Sequence, residues 1–240
     1  RDDTSSPADR IVRAIAGDGA VRLLAARTTD TVEIARSCHD MHPTPCAALG
    51  RLITGAALMS CTLKNPTDAL TLQIHSEGPI GGMLAVSDAA ANVRGYAYHN
   101  DVDLPLNERG KLDVGGAVGR GTLHVIKFLG LKDPCICSGP RVSGEIAEDL
   151  TWYQATSEQT PTVMMLGVLV AQDWSVQQAG GLFIQLMPDA GDALVSRLEA
   201  IVADLPSMTA MLEAGETPES ILLERFSALE PRLLDTRPVR

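Results

Sequence analysis

A long uninterrupted apolar run most constrains how this chain folds. Residues 163–171 contain no charged or hydrogen-bonding side chain, but they are far fewer than the roughly 20 residues that span a bilayer. Such a run predicts a strand buried on both faces. Residues 182–187 alternate between two sets of side chains, which predicts a second strand. With residues 172–179 as a polar connection, the two strands form a hairpin.

A helix is predicted directly before this hairpin. Ser143 can cap a helix whose first turn is acidic, which suits the positive end of the helix dipole. Ile146, Leu150 and Tyr153 then share one face. Pro161 ends the helical pattern near Glu158.

A longer helix is predicted over residues 44–63, where Thr44 caps and Pro45 fits the first turn. Its length of ~28 Å would carry it across the core. Strands are predicted on both sides of it, at residues 11–16, 20–26, 70–74, 83–87, 93–98 and 122–129. Residues 130–142 are interpreted as a connection rich in Gly and Pro.

After Pro188 the pattern changes to helices. Leu194, Leu198, Ile201 and Leu205 are spaced by four, three and four residues and form an apolar stripe. Pro206 ends this helix, and a second helix with Met208 and Met211 and a third from Thr217 follow. We therefore predict an α+β fold: a core at 9–188, made of antiparallel or mixed sheets crossed by the long helix, and a small helical unit at 189–240.

Composition excludes some functions. The formal net charge of −10 disfavours a nucleic-acid-binding protein, since those surfaces are basic, and no membrane-spanning segment is predicted. An odd number of cysteines, five, is more typical of reduced cytosolic thiols than of a secreted disulfide framework. We expect a cytoplasmic protein.

Two groups of side chains could bind metal. Cys38, His39, His42 and Cys46 lie close in sequence and carry zinc-ligand atoms, so a metal-binding enzyme stays one alternative, although a plain loop between helices fits the spacing better. Cys135 and Cys137 would share one face of a strand, but no second cysteine pair completes a four-sulfur site.

No catalytic or nucleotide-binding motif is found. The glycines between Gly115 and Gly121 match neither the dinucleotide nor the P-loop pattern and precede a strand. No nucleophile elbow or zinc-protease motif occurs. We predict that the chain is not an enzyme; a non-catalytic interaction domain is a further alternative.

Several motifs nevertheless carry a resemblance. The chain resembles the heat shock protein 33 family in Ala48-Leu49-Gly50-Arg51, Asn92-Val93-Arg94-Gly95-Tyr96, Ser-Gly-Glu-Ile-Ala-Glu-Asp-Leu at 143–150, Ser-Glu-Gln-Thr-Pro at 157–161 and Ala-Gly-Gly-Leu-Phe-Ile-Gln-Leu-Met-Pro at 179–188. The matching motifs occur in the family's order over roughly residues 11–240.

The resemblance implies a redox-regulated chaperone. It would be an ATP-independent holdase that binds unfolding proteins during oxidative stress, and it would form a homodimer. The helical unit would be the family's linker, packed on the core. Its apolar stripe then provides the predicted client-binding residues Leu194, Leu198, Ile201, Leu205, Met208 and Met211.

The resemblance also implies zinc in the full-length protein. Family members carry a C-terminal domain in which four cysteines hold zinc and read oxidants. That motif does not occur up to Arg240, and we expect it beyond this residue. No zinc ligand or other cofactor is assigned within these 240 residues, Cys135 and Cys137 do not inherit the role, and this chain is expected to be insensitive to peroxide.

Overall fold

The computed structural model describes residues 8–140, 144–188 and 190–240. Two five-stranded sheets, antiparallel throughout, form its frame. The first has the order β10-β1-β2-β9-β8, from Arg10–Ala16 (β1), Val21–Arg27 (β2), Thr162–Val170 (β8), Val176–Leu186 (β9) and Arg232–Pro238 (β10). The second has the order β5-β4-β3-β6-β7, from Ala69–Ser76 (β3), Gly82–Asp88 (β4), Val93–Ala97 (β5), Gly121–Phe128 (β6) and Cys135–Pro140 (β7).

Helices fill the space around these sheets. They are Thr29–His39 (α1), Pro43–Ser60 (α2), Val114–Val118 (α3), Ala147–Thr156 (α4), Asp192–Asp204 (α5), Met208–Glu213 (α6) and Pro218–Ser220 (α7), which continues as a wider turn at Ile221–Arg225. The predicted α+β class is therefore confirmed. No helix in the described ranges is both long and apolar enough to cross a membrane.

Helix α2 is the centre of the molecule, as its length predicted. Every residue of it except Pro43 and Arg51 is buried, because one side packs on each sheet. Small residues allow this close approach: a Cβ on Gly50 would lie 2.7 Å from Val32 Cγ1 and 2.9 Å from Val168 Cγ2. The described part of the chain is thus layered as second sheet, α2, first sheet and C-terminal helices.

The three inner strands of the first sheet, β1, β2 and β9, are largely buried on both faces. Ile11, Leu24 and Phe183 belong to the core around α2. Their neighbours Val12, Leu23 and Ile184 point the other way, into the helices α5–α7. This alternation explains why these inner strands carry apolar side chains on both faces.

Several boundaries differ from the sequence predictions. Residues 176–179, predicted as part of a polar connection, begin β9, where Gln177 is exposed and Gln178 is half-buried. The neighbouring strand β8 lies at the sheet edge, and its Val163 is 36% exposed rather than buried on both sides. Its apolar run therefore faces solvent in part.

Two strands were missed. Residues 135–140, interpreted as a connection, form β7, and residues 232–238, included in the helical unit, form β10. Both are edge strands, and β10 is held by its backbone ladder and side-chain ion pairs while most of its side chains are exposed. A pattern of buried apolar residues cannot reveal such strands.

The domain boundary near Pro188 stays a prediction.

The predicted helix cap at Ser143 lies outside the described residues. The helix begins at Ala147, and Ile146 precedes it with a φ of 66°. The Ile146 backbone N donates to Asp149 Oδ2 at 3.1 Å. The carboxylate thus satisfies a backbone donor at the helix start.

Candidate functional site

The predicted apolar stripe lies on one face of α5, as its spacing required. Leu198 is buried, whereas Leu194, Ile201 and Leu205 are half-buried against the same cluster. Met208 and Met211, from the next helix, are also buried there. The structure therefore brings all six predicted residues together.

The helices pack against the face of the first sheet that points away from α2, which we call its outer face. Its side chains come from three neighbouring strands: Val12, Ala14, Val21, Leu23, Ala25, Leu182 and Ile184. Fully burying a Val, Leu, Ile or Met side chain stabilises by roughly 1.5–3 kcal/mol. The helices and the sheet are thus complementary apolar surfaces, and in this arrangement each covers the other.

Ion pairs on strand β1 hold the covering segment in place. Arg10 Nε and Nη2 donate to the two carboxylate oxygens of Glu219, each at 2.7 Å. This bidentate hydrogen bond lowers the pKa of Glu219. Three residues further along β1, Arg13 pairs with Asp235 of β10 and lowers the pKa of that carboxyl group.

An apolar groove beside β8 was not predicted from the sequence. Its volume is about 570 Å³, which is within the usual size range of ligand pockets. Leu106, Leu112, Trp174 and Met208 form its walls, and residues 166–172 run along it. The run of apolar residues in β8 was the available signal, but only the strand order shows that this run lies at an edge.

The alternative of a metal site at Cys38, His39, His42 and Cys46 is not supported, because these side chains form no metal-binding group among the described residues. His39 Nε2 lies 3.1 Å from the Gly95 carbonyl oxygen, and the His42 ring packs 4.7 Å from Trp174. Cys46 is buried within α2, and burial raises the pKa of its thiol to about 12. Asp40 turns the chain with a φ of 50°, and this turn separates the side chains.

The other cysteines also lack a metal-site arrangement. Cys135 is exposed on β7 and Cys137 is half-buried two residues later. Within the described ranges, no three His, Cys, Asp or Glu side chains are grouped to hold a metal ion. These residues therefore do not fit the four-thiolate zinc site that the resemblance implies.

Known proteins resemble this chain over nearly its whole length. The family model described as Hsp33 protein matches residues 9–240. The 33 kDa chaperonin of Lachnoclostridium phytofermentans is 47% identical over 232 residues, which are 97% of this chain and 80% of that protein. The 33 kDa chaperonin of Clostridioides difficile is 47% identical over 229 residues, 95% and 78% of the two chains.

A solved structure agrees with the fold. The crystal structure of the 33 kDa chaperonin (heat shock protein 33 homolog) of Thermotoga maritima superposes with a TM-score of 0.90. It is 37% identical, and the match covers 96% of this chain and 78% of that one. The likeness therefore includes both sheets and the helices that cover the first.

Proposed function

Because this chain belongs to the Hsp33 family, it is a chaperone, and we propose that it acts as an ATP-independent holdase. In this role it binds unfolding proteins and prevents their aggregation without chemical turnover. The observation that carries the proposal is the buried contact between the stripe of α5 and the outer face of the first sheet. Separating these two surfaces would present apolar area to a client.

The chemistry of that contact supports loose specificity. Its residues are aliphatic side chains and methionines, among them Leu198, Met208 and Met211. Flexible thioether side chains adapt to partners of varied shape. We propose that Leu194, Leu198, Ile201, Leu205, Met208 and Met211 contact clients when the helices move off the sheet.

Independence of ATP is supported by the glycine-rich region. Residues 114–118 form the short helix α3, and Asp113 Oδ1 accepts a hydrogen bond from Gly116 N at 2.9 Å. A carboxylate therefore occupies the helix start that a phosphate would need.

Regulation is proposed only for the full-length protein. There, a four-cysteine zinc module would read oxidants and loosen the helical unit at 189–240. We also propose that the protein is cytoplasmic and forms a homodimer. The acidic exterior, with a net charge of −10, would help keep client complexes soluble.

The test measures light scattering of thermally unfolding malate dehydrogenase with equimolar protomer and no ATP. We expect suppressed aggregation, and stronger suppression by Arg10→Ala, because this change removes the ion pair that ties Glu219 to β1. Arg225→Ala is the matched control, since it breaks a pair with Glu216 inside the helical unit.

Equal scattering with and without this chain, for both the parent and Arg10→Ala, would refute the holdase proposal. An interaction domain would instead bind one partner and leave general aggregation unchanged. If Arg225→Ala enhanced suppression as much as Arg10→Ala, the gain would not come from the β1 contact.

A further inference from the structure

We infer that the free edge of β8 binds an extended client segment as an added strand of the first sheet. This inference rests on the proposed holdase function and names how a client chain would be held. In this binding mode, main-chain hydrogen bonds give affinity and neighbouring side chains give modest selectivity. Clients of varied sequence would then share one site.

The structure shows which β8 backbone groups face outward. Met164 N donates to Thr151 Oγ1 of α4 at 3.0 Å, so this N–H points away from β9. Backbone direction alternates along a strand, and Leu166 and Val168 therefore also point their N–H and C=O groups to the free edge. Helix α4 covers the start of β8, which leaves residues 166–170 beside the groove.

This edge differs from the other three sheet edges. Strand β10 carries Arg232, Asp235, Arg237 and Pro238, and its pairing with β1 contains a register shift. Strand β5 has only 5 residues and includes an arginine, while β7 contains Gly and Pro. Charged residues, prolines, bulges and a short length commonly prevent an edge strand from pairing with another chain.

Strand β8 has few of these protections. Its 9 residues, Thr-Val-Met-Met-Leu-Gly-Val-Leu-Val, include no charge and no proline. Helix α4 covers its start, and the register shift at Leu169 and Val170 limits pairing at the far end, which leaves the stretch around Leu166 and Val168 between them. An exposed apolar edge of this kind is a liability in an ordinary soluble protein, but it is suited to capturing an extended chain.

Charge indicates which extended segments fit best. Among the residues that line the groove, Arg51 and Lys111 are the only charged ones, although the chain as a whole carries −10. Arg51 Nη1 pairs with Glu145 at 2.5 Å, while its Nε has no hydrogen-bond partner in the described structure. Because Glu145 already balances the charge of Arg51, the exposed Lys111 is the cation that would pair with an acidic residue flanking an apolar strand.

Hydrogen exchange tests the backbone pairing directly. The probe is a synthetic peptide of alternating valine and threonine with an N-terminal aspartate, as long as the 9 residues of β8. NMR should show slowed exchange of the Leu166 and Val168 amides on addition of this peptide. A peptide of the same sequence with every amide N-methylated keeps the side chains, but its methyl groups block close approach of its backbone to the strand edge, so it should give no protection.

A pair of variants tests the groove in the full chain. Leu169→Asp places a charge in the groove, and the loss of one apolar contact of about 1.5–3 kcal/mol predicts roughly tenfold weaker binding of the peptide, or more. Val163→Asp is the control variant. It also places an aspartate on the same face of β8, but outside the groove. We expect it to bind the peptide like the parent and to suppress malate dehydrogenase aggregation equally.

The outcomes separate the two proposals. Suppression of aggregation with no protection of Leu166 and Val168, or with Leu169→Asp fully active, overturns strand addition and leaves the holdase standing. Protection by the peptide without any suppression supports strand addition and refutes the holdase. Protection that rises with protein concentration alone would assign the edge to a second copy and overturn the client proposal.

Discussion

Two ion pairs attach the C-terminal segment to strand β1, and each depends on the charge of one carboxylate. Arg10 lowers the pKa of Glu219, and Arg13 lowers the pKa of Asp235. A carboxyl group with a lowered folded pKa contributes stability that is complete above its unfolded pKa, near 4. That contribution is lost as the pH falls through the lower folded value.

We therefore predict that acidification from about pH 5 toward pH 3 loosens residues 190–240 before the core unfolds. Backbone NMR peaks of this segment, followed against pH, measure the change. Glu219→Gln removes one titrating group, and its peaks should move less over this interval. Identical titration curves for this variant and the parent would show that Glu219 does not control the attachment.

At the scale of elements, close packing of α2 explains why small residues occur inside a long helix. Gly50 faces Val32 and Val168, two β-branched side chains with little freedom to move. Gly50→Ala should gain up to about 1 kcal/mol of helix propensity and lose about 1–3 kcal/mol through overpacking. We predict a net decrease in the free energy of unfolding.

Urea denaturation measures this change, and a double-mutant cycle identifies its cause. Val32→Ala makes room for the new methyl group, so Gly50→Ala should cost less in that background than in the parent. Strictly additive effects would show that Val32 does not oppose the added methyl.

The elements with strong apolar periodicity were the ones that could be predicted. The long helix, the β8–β9 hairpin and the stripe from Leu194 to Leu205 all bury one or two faces, and burial leaves a pattern in the sequence. Strand β7 was missed because glycine and proline interrupt it, and β10 because its side chains are mostly exposed. Backbone pairing at an edge depends on the neighbour rather than on the strand's own pattern.

Sequence periodicity could predict only part of the candidate site as well. Periodicity placed Leu198, Met208 and Met211 on an apolar face, but it could not identify the strands that cover them. The close sequence spacing of Cys38 and Cys46 left a metal site as an alternative, whereas in the structure Cys38 is exposed and Cys46 is buried within α2. The groove beside β8 required the order of strands in the sheet, which arises from contacts distant in sequence.

For the whole molecule, the C-terminal segment contributes to the structure by covering one face and one edge of the first sheet. A chain ending at Pro188 would lose the helices over the first sheet and also β10, so that Val12, Leu23 and Ile184 become exposed and β1 becomes an open edge. We predict that this shortened chain self-associates. Size-exclusion chromatography with light scattering should detect species larger than those of the parent.

A chain ending at Glu230 provides the comparison, because it keeps the helices and loses only β10. We expect it to associate less than the chain ending at Pro188, since the apolar face stays covered. Equal association of the two shortened chains would assign the effect to the open β1 edge alone.

The pairing of the first and last strands also has a mechanical consequence. Arg10 lies opposite Pro238, and Val239 N donates to the Asp9 carbonyl oxygen at 3.2 Å, so both strands reach the same corner of the sheet. A pulling force between residues 10 and 238 would load this ladder from one end. Its hydrogen bonds would then open one after another, as in unzipping, rather than resist together in shear. Tension along this direction would peel β10 away at low force while the layers around α2 stay intact.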